Sequence, residues 1–562
     1  MGFRVMGFRR WVQAVCLVVF LFMLATGDRL INADLFARMD PALTGVAAIA
    51  GRTLAWAFLP ALIVALSALL IGRAFCGYIC PMGTTIDAAD AAIKPKKRRK
   101  NPPPKIFRPG LKTIIVFFLS GAAAAGVSLV FWASPLSLIT RFYGTVIYPV
   151  AWLLADRGIL LFYPVFDLLD IRGLMFLEVE PRRFAANFFV FLLFVAIFAA
   201  ARYAPRFWCR YICPAGGILA LLSKKPLIRR QVDENCDQCG KCSENCPMGA
   251  IPDTNAAACR HDECLACKTC ETSCHRDAIR FSLSGEDITF REVPEAPASP
   301  GRRRFLVSGI AGAGTAAVGM TGLMAVPSAD AEGRVLAPRL IRPPGALPDP
   351  DFLQLCVRCG QCMAACPTNT LQPTWFAAGV TGMFSPAVIP ARNYCDPRCR
   401  ACGNVCPTGA ILKMTPAQRV WAKTGTAVIY RQRCIAWEYE KSCMVCDEVC
   451  PYEAVEFEEK EDLPYPVPRV IEDRCAGCGY CEHYCPVEND AAIVVTPMNA
   501  LRLSRPEYRE EGAMRGYELS LRADAGKFDP DELAYPGAEP DAYPPADDPE
   551  NGMAPGFDTG YN

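Results

Sequence analysis

The sequence predicts an α-helical membrane domain of four spanning helices followed by two α+β domains with small cores, and three observations carry that prediction. Four stretches are apolar over close to the roughly 20 residues that a helix needs to cross a bilayer. The chain of 562 residues holds 30 cysteines, most of them in tight CxxCxxC arrays. Past Arg202 its composition turns from apolar to mixed. A chain of this length accommodates three or more domains. Clustered thiols differ from the scattered spacing of a secreted disulfide framework and favour metal ligation. With 59 basic and 57 acidic residues and three histidines, neither a nucleic-acid surface nor a multihaem protein is expected, and CxxCH is absent.

The four apolar stretches run from Trp11 to Gly27, Leu54 to Gly72, Leu111 to Ala133 and Arg183 to Arg202. Arg4, Arg9 and Arg10 precede the first, and six basic residues between Lys94 and Lys100 separate the second from the third. Basic residues stay on the cytoplasmic side, so both ends of this domain, residues 1–203, are expected there. Segments 28–53 and 134–182 then lie outside. The second is amphipathic around Tyr143 to Leu169, with Asp156 and Arg157 interrupting it, and is expected to form a surface helix or a re-entrant pair.

Residues 204–290 are expected to form a cytoplasmic two-cluster domain, closed by a Pro-rich linker at 293–300. Arg302, Arg303, Arg304, Phe305 and Leu306 then precede a Gly/Ala-rich run to Ala325 and the small-residue sequence Ala329-Asp330-Ala331. This has the form of a twin-arginine export signal, although Val307 stands where Lys is frequent; a fifth spanning helix is the alternative. Either places residues 332–562 outside: a Pro-rich spacer at 332–350, a four-cluster domain at 351–505, and an acidic tail at 506–562 expected to be disordered.

The first array is Cys236, Cys239, Cys242 and Cys246, followed by Pro247; the second is Cys264, Cys267, Cys270 and Cys274, with His275 in place of the proline. This is the bacterial ferredoxin run, in which three close thiolates grip one cubane and the fourth crosses to its partner. The expected ligand sets are therefore Cys236, Cys239, Cys242 with Cys274, and Cys264, Cys267, Cys270 with Cys246. Two matching quartets fit [4Fe–4S] cubanes better than the separated pairs of a structural zinc site. Four more arrays follow: Cys356, Cys359, Cys362, Cys366; Cys395, Cys399, Cys402, Cys406; Cys434, Cys443, Cys446, Cys450; and Cys475, Cys478, Cys481, Cys485, each closed by a proline. Six clusters are expected, in two bacterial-ferredoxin-like α+β domains. The stretched second and third arrays of the later domain resemble the inserted pair in four-cluster subunits of molybdenum oxidoreductases. That resemblance implies pairing of the first array with the fourth and the second with the third.

Cys76-Gly-Tyr-Ile-Cys80-Pro81 and Cys209-Arg-Tyr-Ile-Cys213-Pro214 stand at the cytoplasmic ends of the second and fourth apolar stretches. These four thiols could hold a seventh cluster, form a dithiol couple or line a quinone pocket; alternatively the CysPro turns only cap helices. Cys16 and Cys259 are expected to be buried thiols without a ligand role. No nucleophile, general-base pair or phosphate loop stands out, so an electron-transfer subunit is expected more than a catalytic one.

Helices, two CxxxCP motifs and a two-cluster ferredoxin, over residues 1–290, resemble the membrane ferredoxins NapH of periplasmic nitrate reductase systems and MauN of methylamine utilisation. The twin-arginine segment and four arrays, over 301–500, resemble the exported partners NapG and MauM. The resemblance implies a bacterial inner-membrane protein relaying electrons from the quinol pool to a periplasmic oxidoreductase or cytochrome. The competing class is an assembly or regulatory factor for a respiratory metalloenzyme. His261, His275 and His483 all lie in the cysteine-rich segments, so no haem is expected to join the two halves; quinone or a separate partner could bridge them, or they could serve different circuits.

Overall fold

The computed structural model describes residues 2–27, 34–53, 56–93, 110–168, 182–185, 187–283, 302–320, 328–329, 335–336, 339–375, 377–487 and 490–522. The basic loop 94–100, the linker 293–300, residues 330–331 of the small-residue sequence and the tail 525–562 lie outside the described residues.

Helices dominate the first 222 residues. Gly2–Thr26 is one long helix; a second long run starts at Pro135–Phe142, passes through a π-helical turn at Tyr143–Ile147 and continues as Tyr148–Leu168. Gly7–Thr26 and Pro135–Leu161 are apolar and long enough to cross a membrane, whereas Trp56–Ile71, Leu111–Ala124 and Asn187–Arg202 are apolar over fewer residues. So one expected crossing is a full-length helix and three are shorter, while a second full-length helix runs where a surface or re-entrant segment was expected. Gly72 at φ 67° and Gly126 at φ 88° adopt left-handed backbone that ends two of the short helices.

Residues 34–53, expected outside, supply a buried helix, Pro41–Gly51, packed against Leu59–Ile71 and Leu111–Ala124. The Asp40 carboxylate accepts the N–H groups of Ala42 and Leu43, and Pro41 occupies the first turn, where its missing N–H costs nothing. Ser134 caps Pro135–Phe142 in the same way through Ser137 N–H. The Ser134 hydroxyl also donates to Asp40 at 2.6 Å, tying the two helix starts together.

The helix Arg302–Met320 runs parallel to Leu111–Ala124, with Phe305 on Phe117 at 4.1 Å between ring centroids and Ala316 against Ala122. The approach is close enough that a Cβ on Gly121 would overlap Gly309, and one on Gly312 would overlap the Phe118 carbonyl. Small residues permit this backbone-to-backbone packing.

The cysteine-rich parts are built from short antiparallel strand pairs. Ile228–Val232 pairs with Ile279–Leu283 and brackets the first two arrays. Thr426–Ile429 pairs with Ile493–Thr496, and Val455–Glu458 with Val467–Val470, around the last two. Leu371–Pro373 pairs with Pro386–Val388 between the third and fourth arrays of the chain. The C-terminal domain is larger than composition suggested. Ile341 and Ala346 are buried ahead of residue 351, and Tyr508 and Leu519 are buried past 505, with a helix at Tyr508–Met514. Part of the expected spacer and of the expected tail therefore belongs to the fold, because a few apolar side chains reach the core from segments whose average composition is polar.

The two cysteine-rich units sit at opposite ends of the helix Leu111–Ala124. At its start, Lys112 Nζ binds the Glu263 carboxylate at 2.5 Å, which also accepts from Arg73 at 2.8 Å, and Tyr78 donates to the Ala266 carbonyl at 3.1 Å. At its far end a Cβ on Gly126 would meet Gln354. There, too, Ser137 donates to the Val357 carbonyl at 3.0 Å, Arg141 to the Arg358 carbonyl at 2.9 Å, and Arg358 to the Ser128 carbonyl at 2.6 Å.

Candidate metal centres

Each CxxCxxC loop curls because residues beside its second cysteine take left-handed backbone. Gln238 (φ 57°), Ala266 (50°) and Arg358 (49°) precede that cysteine, and Lys268 (56°) follows it in the second array where Gly240, Gly360 and Gly479 serve in others. A second left-handed residue stands three past the fourth cysteine: Gly249, Asp277, Asn369, Gly409 and Glu453, at φ 48–73°. Non-glycine residues resist this conformation by roughly 1–2 kcal/mol each, so the loops hold a shape that free chain would avoid.

These loops bring the thiols together in fours. One cavity is walled by Cys246, Cys264, Cys267 and Cys270, with Cys259 beside them. Another is walled by Cys434, Cys443, Cys446 and Cys485, and a third by Cys450, Cys475, Cys478 and Cys481. Cys356, Cys359 and Cys362 share their electrostatic surroundings with Cys406, as do Cys395, Cys399 and Cys402 with Cys366. Cys236 and Cys239 adjoin Cys242, in whose small core Cys274 also packs. The first domain follows the expected crossing. In the C-terminal domain, however, the arrays pair in tandem, first with second and third with fourth, which corrects the nested pairing of first with fourth and second with third. Closing a loop to the neighbouring array costs less chain entropy than returning across two others.

Backbone N–H groups reach the sulfurs in a repeated pattern: Ala250 to Cys246 (3.3 Å), Ile411 to Cys406 (3.4 Å), Ala454 to Cys450 (3.4 Å) and Ala492 to Cys485 (3.3 Å). Two arginines add charge. Arg419, 3% exposed, lies with Nη2 3.2 Å from Cys395 Sγ and donates Nε–H to the Cys399 carbonyl at 2.8 Å. Arg230 lies 3.6 Å from Cys242 Sγ. Burial pushes the thiols of Cys359, Cys395 and Cys446 up to about 12. Empty, these thiols keep their protons at neutral pH; iron bound as thiolate must displace them. A buried cage of four thiols, N–H donors and arginine is a donor set that fits a [4Fe–4S] cubane.

The remaining cysteines separate. Cys16 is half-buried in its helix, and Cys259 shares a cavity wall with the second array. Cys76, Cys80, Cys209 and Cys213 are all buried, in one core. Sequence reasoning noted a basic residue ahead of each CxxxCP motif, which is Arg73 or Arg206, but did not single out Arg230 or Arg419. Arg73 and Arg206 each stand three residues before their motif.

Four-thiol cages on strand-bracketed loops define a ferredoxin-type protein with several [4Fe–4S] sites. Family models match on both kinds of cysteine: a 4Fe-4S binding domain matches residues 53–100 and 186–232, which hold the CxxxCP motifs, and 402–415; a second matches 353–372, and a 4Fe-4S dicluster domain matches 441–489. The chain belongs to the MauM/NapG family of ferredoxin-type proteins, which it matches over about a third of its length. The methylamine utilization ferredoxin-type protein MauM of Methylorubrum extorquens is 35% identical over 217 residues, 36% of this chain and 91% of the relative. MauM of Paracoccus denitrificans is 38% identical, over 28% of this chain and 72% of its own. The ferredoxin-type protein NapG of Escherichia coli strain K12 is 36% identical, over 35% of this chain and 87% of its own. No solved structure matches. Family and domains together support an iron–sulfur electron-transfer role with multiple [4Fe–4S] clusters.

Proposed function

We propose that this chain joins a NapH/MauN-type membrane ferredoxin, over residues 1–290, to a NapG/MauM-type ferredoxin exported behind the Arg302–Arg304 signal, and relays electrons between the quinol pool and a periplasmic redox enzyme. Six clusters would be held by the six thiol quartets described above: two on the cytoplasmic face and four in the periplasm. The observation that carries this reading is the attachment of the two cysteine-rich units at opposite ends of one apolar helix, through Lys112 at one end and, just past the other, the Ser128 carbonyl that accepts from Arg358. A belt of exposed apolar side chains between those ends supports it. Leu62, Ile63 and Leu66 are about half exposed, Phe188 is 71% exposed and Ile310 is 71% exposed. In water such a belt is costly, whereas in lipid it is the expected surface.

In sealed proteoliposomes, the anaerobically purified chain is expected to take electrons from a quinol analogue, seen as bleaching of its visible iron–sulfur absorption. A membrane-impermeant reagent added outside should then reach a tag after residue 283 or one after residue 522, and never both in one orientation. A colourless, zinc-bound protein, or both tags reached together, would overturn the reading.

A further inference from the structure

The six quartets leave a gap, because two sets lie at one end of the bundle and four at the other. Between them sit the four CxxxCP thiols. Cys76, Cys80, Cys209 and Cys213 are 4–8% exposed, and Cys80 and Cys213 each lie within electrostatic reach of Cys76 and Cys209. One contiguous core holds all four together with Leu265 of the first unit and Val357 and Cys359 of the second.

The surroundings repeat with two-fold regularity. Arg73, three residues before Cys76, donates to the carbonyl of Cys209 at 3.3 Å; Arg206, three before Cys209, donates to the carbonyl of Cys76 at 3.0 Å. Gly83 and Gly216, three residues past Cys80 and Cys213, leave the space these arginines use. A Cβ on Gly83 would come within 2.7 Å of the Cys76 carbonyl, and one on Gly216 within 2.5 Å of Arg73 Nη2. Cys80-Pro81 and Cys213-Pro214 each open a helix, and Cys213 Sγ accepts Gly216 N–H at 3.3 Å, the bond that the array thiols also accept.

Buried donors beside the thiols point to a guest that accepts hydrogen bonds. Glu263 is bound by both Arg73 and Lys112, and Asp87 by both Arg206 and Arg9, while Asp90 accepts Arg206 N–H and the buried Asp40 lies in the field of Cys80 and Cys213. Arg73 and Arg206 are fully buried, and among the described residues Arg73 Nε has no hydrogen-bond partner, nor has the buried Trp208 Nε1 beside Cys209. Buried donors without acceptors are costly unless something at the site accepts from them. Neutral thiols are weak acceptors, whereas thiolates around a cubane are stronger ones. Spacing argues against a single ion. Among the described residues only Asp237, Cys239 and His275 bring three ligand atoms within 4.8 Å of one another. The CxxxCP thiols, like those of the arrays, are therefore set wider than a zinc tetrahedron, with its Zn–S bonds of about 2.3 Å, requires.

We propose that Cys76, Cys80, Cys209 and Cys213 ligate a seventh iron–sulfur cubane that carries electrons between the two ferredoxin units. It rests on the electron-carrier reading of the six arrays. On one side the Cys76 turn touches the second array directly, with Arg73 N–H on the Cys264 carbonyl at 3.4 Å and Gly77 against Leu265. On the other, Asp40 lies in the field of Cys80 and Cys213, accepts from Ser134, and Ser137 one turn on donates to the Val357 carbonyl between Cys356 and Cys359. Tunnelling falls off exponentially with distance, so a centre between the quartets replaces one long step by two short ones. Each step moves one electron: the cluster of Cys264, Cys267, Cys270 and Cys246 and the cluster of Cys356, Cys359, Cys362 and Cys406 are each oxidised or reduced by one as the middle cluster changes by one. No proton or bond is exchanged.

The test is an iron and acid-labile sulfide count on the full-length, anaerobically purified chain. Seven cubanes give about 28 irons and six give about 24. The expected result is the higher count, falling by about four in a variant carrying Cys80→Ser and Cys213→Ser, with one paramagnetic signal lost and the others kept. In sealed vesicles that variant should also no longer pass electrons from a reductant on one side to an impermeant oxidant on the other. A wild-type count near 24, needing no variant, overturns the seventh site while leaving the six-cluster carrier standing. A chain loaded with zinc throughout removes both.

Discussion

At the scale of single residues, charge beside sulfur is what tunes these centres. Arg419 is buried within hydrogen-bond distance of Cys395 Sγ and fixes the Cys399 turn. A unit charge some 6 Å from a cluster, at an effective dielectric of about 20, is worth roughly 3 kcal/mol. Arg419→Ala is therefore expected to lower the potential of the cluster held by Cys395, Cys399, Cys402 and Cys366 by on the order of 100 mV, while Arg419→Lys restores most of it. A potentiometric titration followed by electron paramagnetic resonance checks this, and an unchanged set of potentials would refute it. Glu263 belongs to the same scale but does a different task. Burial alone would raise its pKa, yet Lys112 and Arg73 hold it below the usual carboxylate range, so it is ionised and joins the first unit to the bundle. Glu263→Gln leaves two buried cations without a counter-charge, and the loss of about 3–5 kcal/mol typical of a broken buried pair should appear as an earlier denaturant midpoint.

At the scale of elements, helix packing decides what anchors the C-terminal half. Arg302–Met320 has a weakly apolar composition, but its Gly309 and Gly312 lie against the backbone of Gly121 and Phe118. Gly312→Leu would force the helices apart, since the obstruction is backbone and cannot rotate away. A short bifunctional thiol crosslinker should join cysteines placed at Phe117 and Phe305, whose rings meet at 4.1 Å, in the parent and fail in that variant. The array loops obey a different rule. Their left-handed residues cost energy that short strand pairs do not return, so the loops need something at their centre to stay closed.

At the scale of the whole molecule, two kinds of core coexist. The bundle is held by extensive apolar packing, whereas the first ferredoxin unit buries little beyond Val232, Ile251, Ala256, Ile279 and its own cysteines. Removing iron with a chelator under reducing conditions is expected to unfold both cysteine-rich units and leave the helices largely intact. Circular dichroism would keep its helical signal while amide exchange accelerates over 228–283 and 351–500. Equal exchange before and after chelation would show that clusters contribute little to the fold.

Much of this was legible along the chain. Six quartets, the α+β character around them and the helical first half follow from residue type and short-range spacing, because a CxxCxxC loop or an apolar run is a local matter that neighbouring residues impose on one another. Which quartets exchange their fourth cysteine, where residues 34–53 and 135–168 run, and how far the C-terminal domain extends all depend on contacts between residues far apart in sequence. So does the grouping of Cys76 and Cys80 with Cys209 and Cys213. No local pattern states that Arg73 will reach Cys209 while Arg206 reaches Cys76; only the packed bundle, by burying four thiols together with both arginines, makes a site of them.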